Sequence, residues 1–283
     1  MTAKSLKPLL VIALLVLTSC SSQPVAPPRA DTAAATAVAP ARPAKPVDLT
    51  VFAAASLVDA FGEIGQAFEA THPGVKVIFN LGGSQNLRTQ LEQGAQADVF
   101  ASANRKEMDA VAAAGLAAPG SARTFVTNQL VVVLPAGNPG GVHTLQDLAR
   151  PGLKLVLADE AVPVGRYARQ VLDRLNANNG ASFRDDVLAN VVSNEDNVKQ
   201  VLTKVQLGEA DAGIVYASDA LAASELVTIT IPAQANVVAE YPIAALAGAP
   251  SPAVAAEFVD FVLSPEGQSI LRKWGFTPVA SPN

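Results

Sequence analysis

From Val47 onward, short runs with β propensity alternate with segments whose apolar residues recur at helical spacing. That alternation constrains the fold more than any other feature of the chain. Leu49 to Ala53 reads as a strand, after which Leu57, Phe61, Ile64 and Phe68 fall on one helical face. Val75, Val77, Phe79 and Leu81 alternate as a strand, Gly82-Gly83-Ser84 turns the chain, and Leu87 with Leu91 begins a helix closed by Gly94. Ala97 to Ala101 reads as a buried strand, and Met108 with Val111 as the apolar face of a helix ending at Gly115. The order βαβαβα implies a parallel sheet covered on both faces.

A second set begins after Asn128. Leu130 to Leu134, Lys154 to Ala158, Ala212 to Tyr216 and Leu226 to Ile231 read as strands, and Thr144 is placed to cap a short helix over Leu145 and Leu148. Ala168, Val171, Leu172 and Leu175 share a helical face, as do Val198, Val201, Leu202 and Val205. A strand near Val237 to Leu246 then leads into helices carrying Val254, Phe258, Phe261, Ile270, Leu271 and Trp274. Gly94-Ala95-Gln96-Ala97-Asp98 and Gly208-Glu209-Ala210-Asp211 each lead into a strand followed by Ala-Ser, an echo expected of two lobes of similar design.

Half of the residues are hydrophobic, which suggests a membrane protein until the apolar residues are located. The clean run is Leu9 to Leu17, preceded by Lys4 and Lys7 and followed by Leu17-Thr18-Ser19-Cys20. A spanning helix needs about 20 such residues. This pattern reads instead as a signal peptide over residues 1–19. Its end is similar to a bacterial lipobox, with the chain's single Cys, Cys20, as the lipid-attachment residue. Residues 20–46 are rich in Ala and Pro and read as a flexible tether from that anchor. Export would remove two lysines and shift the formal charge from −5 to −7. No Lys/Arg stripe marks a nucleic-acid surface, and one Cys with two His cannot build the usual zinc site.

Enzyme signatures end in near misses. Gly115 to Ser121 has the Gly spacing of a phosphate-binding loop but Ser where Lys is needed. Gly82-Gly83-Ser84-Gln85-Asn86 starts as a nucleophile elbow and lacks the closing Gly. A secreted serine hydrolase using Ser84 would need His72 or His143 beside it. Glu195-Asp196, between a strand and a helix, fits N-terminal capping better than acid–base work. What recurs is a strand, a small or hydroxyl residue, then a helix start, at Ser56, Ser84, Val164-Gly165 and Asn197-Val198. The first N–H groups of a helix have no intrahelical partner and sit at the positive end of its dipole. Several converging at the carboxyl edge of a sheet would bind an anion without Lys or Arg. Simple helix capping by Ser56 and Ser84 is the other reading of the same residues.

Four separated segments carry a resemblance: Val51-Phe52-Ala53-Ala54-Ala55-Ser56-Leu57, the run from Gly83 to Ala103, Val162-Pro163-Val164-Gly165-Arg166-Tyr167-Ala168, and Gly213 to Ala220. In this order they closely resemble the periplasmic molybdate-binding proteins of bacterial ABC importers, over residues 48 to 280. The resemblance implies the type II periplasmic-binding-protein fold, two α/β lobes joined by two crossover segments with a ligand cleft between. Lobe 1 is expected over 48–127 plus 232–283 and lobe 2 over 128–231, with hinges near Thr127-Asn128 and Ile231-Pro232. It implies an oxyanion site made by Ser56, Ser84, Val164, Val198 and Tyr216, with no catalytic residue, no cofactor and no metal beyond the bound molybdate. The implied partners are molybdate or tungstate, a membrane permease and, through Cys20, the membrane at the cell envelope; the chain is expected to be a monomer. Two departures stand out: Val164 where many relatives have Ala, and Gly82-Gly83 where they carry a further Ser or Ala-Ser. The other readings are a site for a different tetrahedral oxyanion such as sulfate, the hydrolase above, or a structural lipoprotein without a ligand.

Overall fold

The computed structural model describes residues 46–279. The expected signal peptide, Cys20 and the tether up to residue 45 lie outside the described residues, as do the last four residues of the expected first lobe. In chain order the elements are β1 (Val47–Ala54), α1 (Val58–Thr71), β2 (Val75–Gly82), α2 (Ser84–Glu92), β3 (Val99–Ala101), α3 (Arg105–Ala113), β4 (Arg123–Asn128) and β5 (Leu130–Leu134). Then follow β6 (Leu155–Ala158), α4 (Pro163–Asn179), α5 (Phe183–Ala189), β7 (Val191–Glu195), α6 (Val198–Gln206), β8 (Ala212–Tyr216), α7 (Ala217–Ala222) and β9 (Val227–Thr230). The chain closes with β10 (Ala239–Ala245), α8 (Pro252–Leu263), α9 (Pro265–Lys273) and β11 (Thr277–Pro278).

These strands form two sheets, ordered β11-β4-β10-β3-β1-β2 and β7-β6-β8-β5-β9. The chain passes from the first to the second between β4 and β5, and returns between β9 and β10. This is the type II periplasmic-binding-protein architecture. Neither sheet is purely parallel, contrary to the expectation from βαβαβα order. β1 runs parallel to β2 and β3, but β10 returns antiparallel between β3 and β4, and β5 lies antiparallel to both β8 and β9. The reason is connectivity: a chain that leaves a sheet and comes back must insert a strand from elsewhere in the sequence, and local periodicity carries no record of it. β4, β11, α5 and α7 are additional to the elements expected.

The first sheet is backed by an aromatic cluster in which Phe61 meets Phe125 at 5.9 Å and Phe258 at 6.1 Å, while Phe68 meets Phe258 edge-on at 5.2 Å. Both α1 residues, spaced at helical period, are fully buried, so the expected face is the packed one. The second sheet is aliphatic, with every residue of β5, β6 and β8 buried. Thr144 and Asp147 form a capping box at the 3₁₀ turn Leu145–Ala149, as Thr144 was expected to do.

The Asp98/Asp211 echo has a structural meaning. The Asp98 carboxylate accepts the Thr50 N–H at 2.8 Å while the Asp98 N–H donates to Thr50 O at 2.8 Å. Asp211 repeats both bonds with Lys154, again at 2.8 Å each. In each sheet an aspartate just before a strand thus clasps the backbone of the neighbouring parallel strand. Asp98 also accepts the Ser251 N–H at 2.7 Å, which draws the start of α8 to the same point.

Candidate anion-binding site

Ser56, Ser84, Val164, Val198 and Tyr216 all line one small cavity between the two sheets. Each sits where a strand of a parallel pair ends: Ser56 in the turn after β1, Ser84 at the first residue of α2 after β2, Val164 in the first turn of α4 after β6, Val198 at the first residue of α6 after β7, and Tyr216 as the last residue of β8. The carboxyl edge of an α/β sheet is where helix N-termini converge on ligands, and here two such edges face each other. No Lys or Arg is among the lining residues. What the site offers an anion instead is the first turns of α2, α4 and α6, where N–H groups without an intrahelical partner sit at the positive ends of the helix dipoles.

Capping does not explain the two serines. The N-cap of α2 is Gly83, and the Ser84 hydroxyl oxygen instead accepts the Ala103 N–H at 3.0 Å. With that lone pair occupied, the Ser84 proton is free for an acceptor in the cavity. The Ser56 hydroxyl lies 2.9 Å from the Tyr241 hydroxyl on β10 and makes no cap bond either. At α6 the cap is Asn197, whose side chain accepts the Gln200 N–H at 3.1 Å. Glu195-Asp196 therefore do not cap it: the Glu195 carboxylate is held by Lys204 at 2.6 Å.

Tyr216 is fully buried, its ring edge-on to Tyr241 at 5.6 Å, and among the described residues its hydroxyl has no partner at hydrogen-bonding distance and angle. A buried polar group without a partner is rare in a folded protein because it forfeits its hydration for nothing. Burial pushes both tyrosine hydroxyls well above their ordinary pKa of 10, so each keeps its proton and can donate it. The cavity thus offers hydroxyls and backbone N–H groups, and no titrating base.

Contacts across the cleft close the site. The Gln85 amide donates to Asp196 O at 3.1 Å, and Lys199, next to Val198, reaches Asp59 on α1 at 2.9 Å while also pairing with Asp219 at 3.0 Å. Burial raises the Asp219 pKa to about 6 against the pull of Lys199. For Lys199, burial lowers the pKa but Asp219 and Asp59 more than offset it, so the ammonium stays charged. Gly83 packs so close to the facing edge that a Cβ there would lie 2.5 Å from Asp196 O. This close approach leaves no room for a side chain at position 83.

The two histidines lie elsewhere. His72 stacks on Phe68 at 3.8 Å and its ring nitrogen is 2.9 Å from Phe68 O, while His143 precedes the capping box. Neither lines the cavity with Ser84. Among the described residues no cluster of three or more His, Cys, Asp or Glu could hold a metal ion, and no helix is long and apolar enough to cross a membrane.

The sequence pattern of the bacterial extracellular solute-binding proteins matches residues 49–277. Over 229 residues the chain is 46% identical to the molybdate-binding protein ModA of Mycobacterium tuberculosis, covering 81% of this chain and 84% of that one. It is 34% identical to the molybdate-binding protein ModA of Escherichia coli over 236 residues, covering 81% and 88%. Among solved structures, the Azotobacter vinelandii periplasmic molybdate-binding protein superposes with a TM-score of 0.71 at 22% identity, covering 83% of this chain and all of that one. That structural likeness speaks to the fold.

Proposed function

The chain belongs to the bacterial extracellular solute-binding proteins, and from that premise we propose that it captures molybdate between its two sheets and delivers it to the permease of an ABC importer. This is a family of binding proteins rather than enzymes, and the hydrolase alternative falls with that membership. The observation that carries the ligand reading is the buried, unpartnered Tyr216 hydroxyl in a cavity ringed by the helix starts of both halves. Molybdate-binding relatives at 46% and 34% identity support the choice of anion. Tungstate, of the same shape and charge, is expected to compete.

In this reading Ser56 and Ser84 give hydroxyls and N–H groups from lobe 1 (48–127 plus 232–283), and Val164 and Val198 give N–H groups from lobe 2 (128–231), which also supplies the Tyr216 phenol. A tetrahedral dianion needs donors and no proton. Each bond to a charged acceptor contributes about 1.5–3 kcal/mol. A few of them, less ordering costs, place the affinity at about −8 to −11 kcal/mol, micromolar to about ten-nanomolar. Donors on both lobes meet the anion together only when the cleft is shut, so binding favours the closed state. Discrimination is expected to rest on cavity size, since donors spaced for molybdate would sit too far from the oxygens of the smaller sulfate.

Melting with molybdate, tungstate, sulfate and phosphate tests this. Only the first two should raise the midpoint, with a stabilisation of about 2.7 kcal/mol at a ligand concentration of a hundred times Kd. A shift with sulfate alone would reassign the anion. Tyr216→Phe should weaken molybdate binding about tenfold or more yet leave the ligand-free midpoint unchanged or higher, because the lost hydroxyl had no partner. Cys20 is proposed as the lipid anchor; Cys20→Ser should move the expressed protein from the detergent to the aqueous phase in a Triton X-114 partition.

A further inference from the structure

Beside the inner cavity an open groove is lined by Asn104, Arg105, Lys106, Arg166, Tyr167 and Glu240. It adjoins the cavity on both walls: Ala103 lines the cavity and Asn104 the groove, and across the cleft Val164 lines the cavity and Arg166 the groove. Three cations face one carboxylate there. Arg105 is matched by Glu240 at 3.1 Å, and Lys106 lies 3.9 Å from Glu107, whose charge Arg88 already meets at 2.7 Å. Arg166 makes no ion pair among the described residues, and its Nε is buried without a hydrogen bond. The Asn104 side chain is buried as well; its oxygen caps α3 by accepting the Glu107 N–H at 2.9 Å, while among the described residues its Nδ2 has no acceptor. The Tyr167 hydroxyl, its pKa pushed up to about 12 by burial and by Glu240, remains a donor.

We propose that this groove is an outer anion site, at which an incoming small oxyanion docks through Arg166, Lys106 and the Asn104 amide before it reaches the inner cavity. The inference rests on the inner cavity being the place where that anion is finally held. It answers a problem of charge: a chain of formal charge −5 repels a dianion at long range, and the inner cavity has no side-chain cation to oppose that repulsion. Cations at a cleft mouth raise local anion concentration and association rate, and the effect is screened by salt. Inner donors determine how long the anion stays; the outer cations determine how often it arrives.

Stopped-flow association and dissociation of molybdate with the full-length protein would test this for wild type, Arg166→Gln/Lys106→Gln, and the control Arg272→Gln on α9. At low ionic strength the double variant should associate about fivefold more slowly or worse, with dissociation unchanged within about twofold and a flatter dependence on salt; the control should follow wild type. Equal association rates, or a slowing that is the same at high and low salt, would overturn the outer site. A separate titration of Ser84→Ala/Tyr216→Phe with molybdate, followed by NMR at the Asn104 side-chain amide, reads the groove without the inner donors. A saturable shift at that amide supports the outer site even if wild type shows no tight molybdate binding, which would instead sink the inner-cavity reading. No shift refutes the outer site itself.

Discussion

Gly165→Ala is expected to lower molybdate affinity by about a hundredfold and to drop the ligand-free melting midpoint by several degrees. Gly165 lies in the first turn of α4, where a Cβ would sit 2.1 Å from Asp159 O and 2.4 Å from Ala158 O, at the end of β6. Both are backbone atoms fixed by the sheet, so α4 must move instead. Glycine is what permits a helix start to approach a strand end this closely. Overpacking of this kind costs about 1–3 kcal/mol, which for a domain of this size corresponds to a midpoint loss of about 2–4 °C per kcal/mol. Binding should suffer more than stability. In the proposed site the Val164 N–H reaches the anion only if the turn is seated there, and every donor on that helix would shift with it. Calorimetry and a thermal melt on the same sample check both effects; a variant that binds molybdate as tightly as wild type would show that α4 contributes nothing to the site.

Ser84→Ala should separate stability from binding in a different way. The Ser84 hydroxyl both accepts the Ala103 N–H and has its proton free for the cavity. Removing it strands a buried N–H, at about 1–3 kcal/mol, and removes a donor to a charged acceptor, at about 1.5–3 kcal/mol. The ligand-free midpoint should fall, and molybdate affinity should fall about tenfold to a hundredfold. Tyr216→Phe, by contrast, should lose affinity without losing stability. The pair of variants therefore distinguishes a donor that also supports the fold from one that waits only for ligand. Ser84→Ala with unaltered affinity by calorimetry would remove Ser84 from the proposed donor set.

How much of this was legible in the sequence follows from how far each feature reaches along the chain. Helix starts at Ser84, Val164 and Val198 were legible, because a β run, a small residue and a helical period are all local. The true cap of α2, Gly83, sits one residue ahead of Ser84, and that offset changes Ser84 from cap to free donor; at α6 the cap is Asn197, one residue past Glu195-Asp196. Tyr216 stood out only through family resemblance. An aromatic ending an apolar strand looks like core, and its orphan hydroxyl is visible only once the surrounding atoms are placed. Tyr241, which pairs with Ser56 across 185 residues of chain, left no local signal. The Asp98/Asp211 echo was visible as a pattern, yet its purpose depends on Thr50 and Lys154, 48 and 57 residues upstream. Strand direction was misread for the same reason.

The position of β10 has a consequence for how the chain acquires its shape. All five strands of the second sheet lie within Leu130–Thr230, so a chain emerging N-terminus first has that sheet's full set of strands in hand when Thr230 appears. The first sheet began earlier in sequence but finishes later. β10 lies between β3 and β4, so until Ala239–Ala245 arrive, β3-β1-β2 and β4 have no strand to join them. During vectorial emergence the half that starts last is completed first. The exposed edges of β3 and β4 are then the surfaces that a holding chaperone would need to cover in the interval.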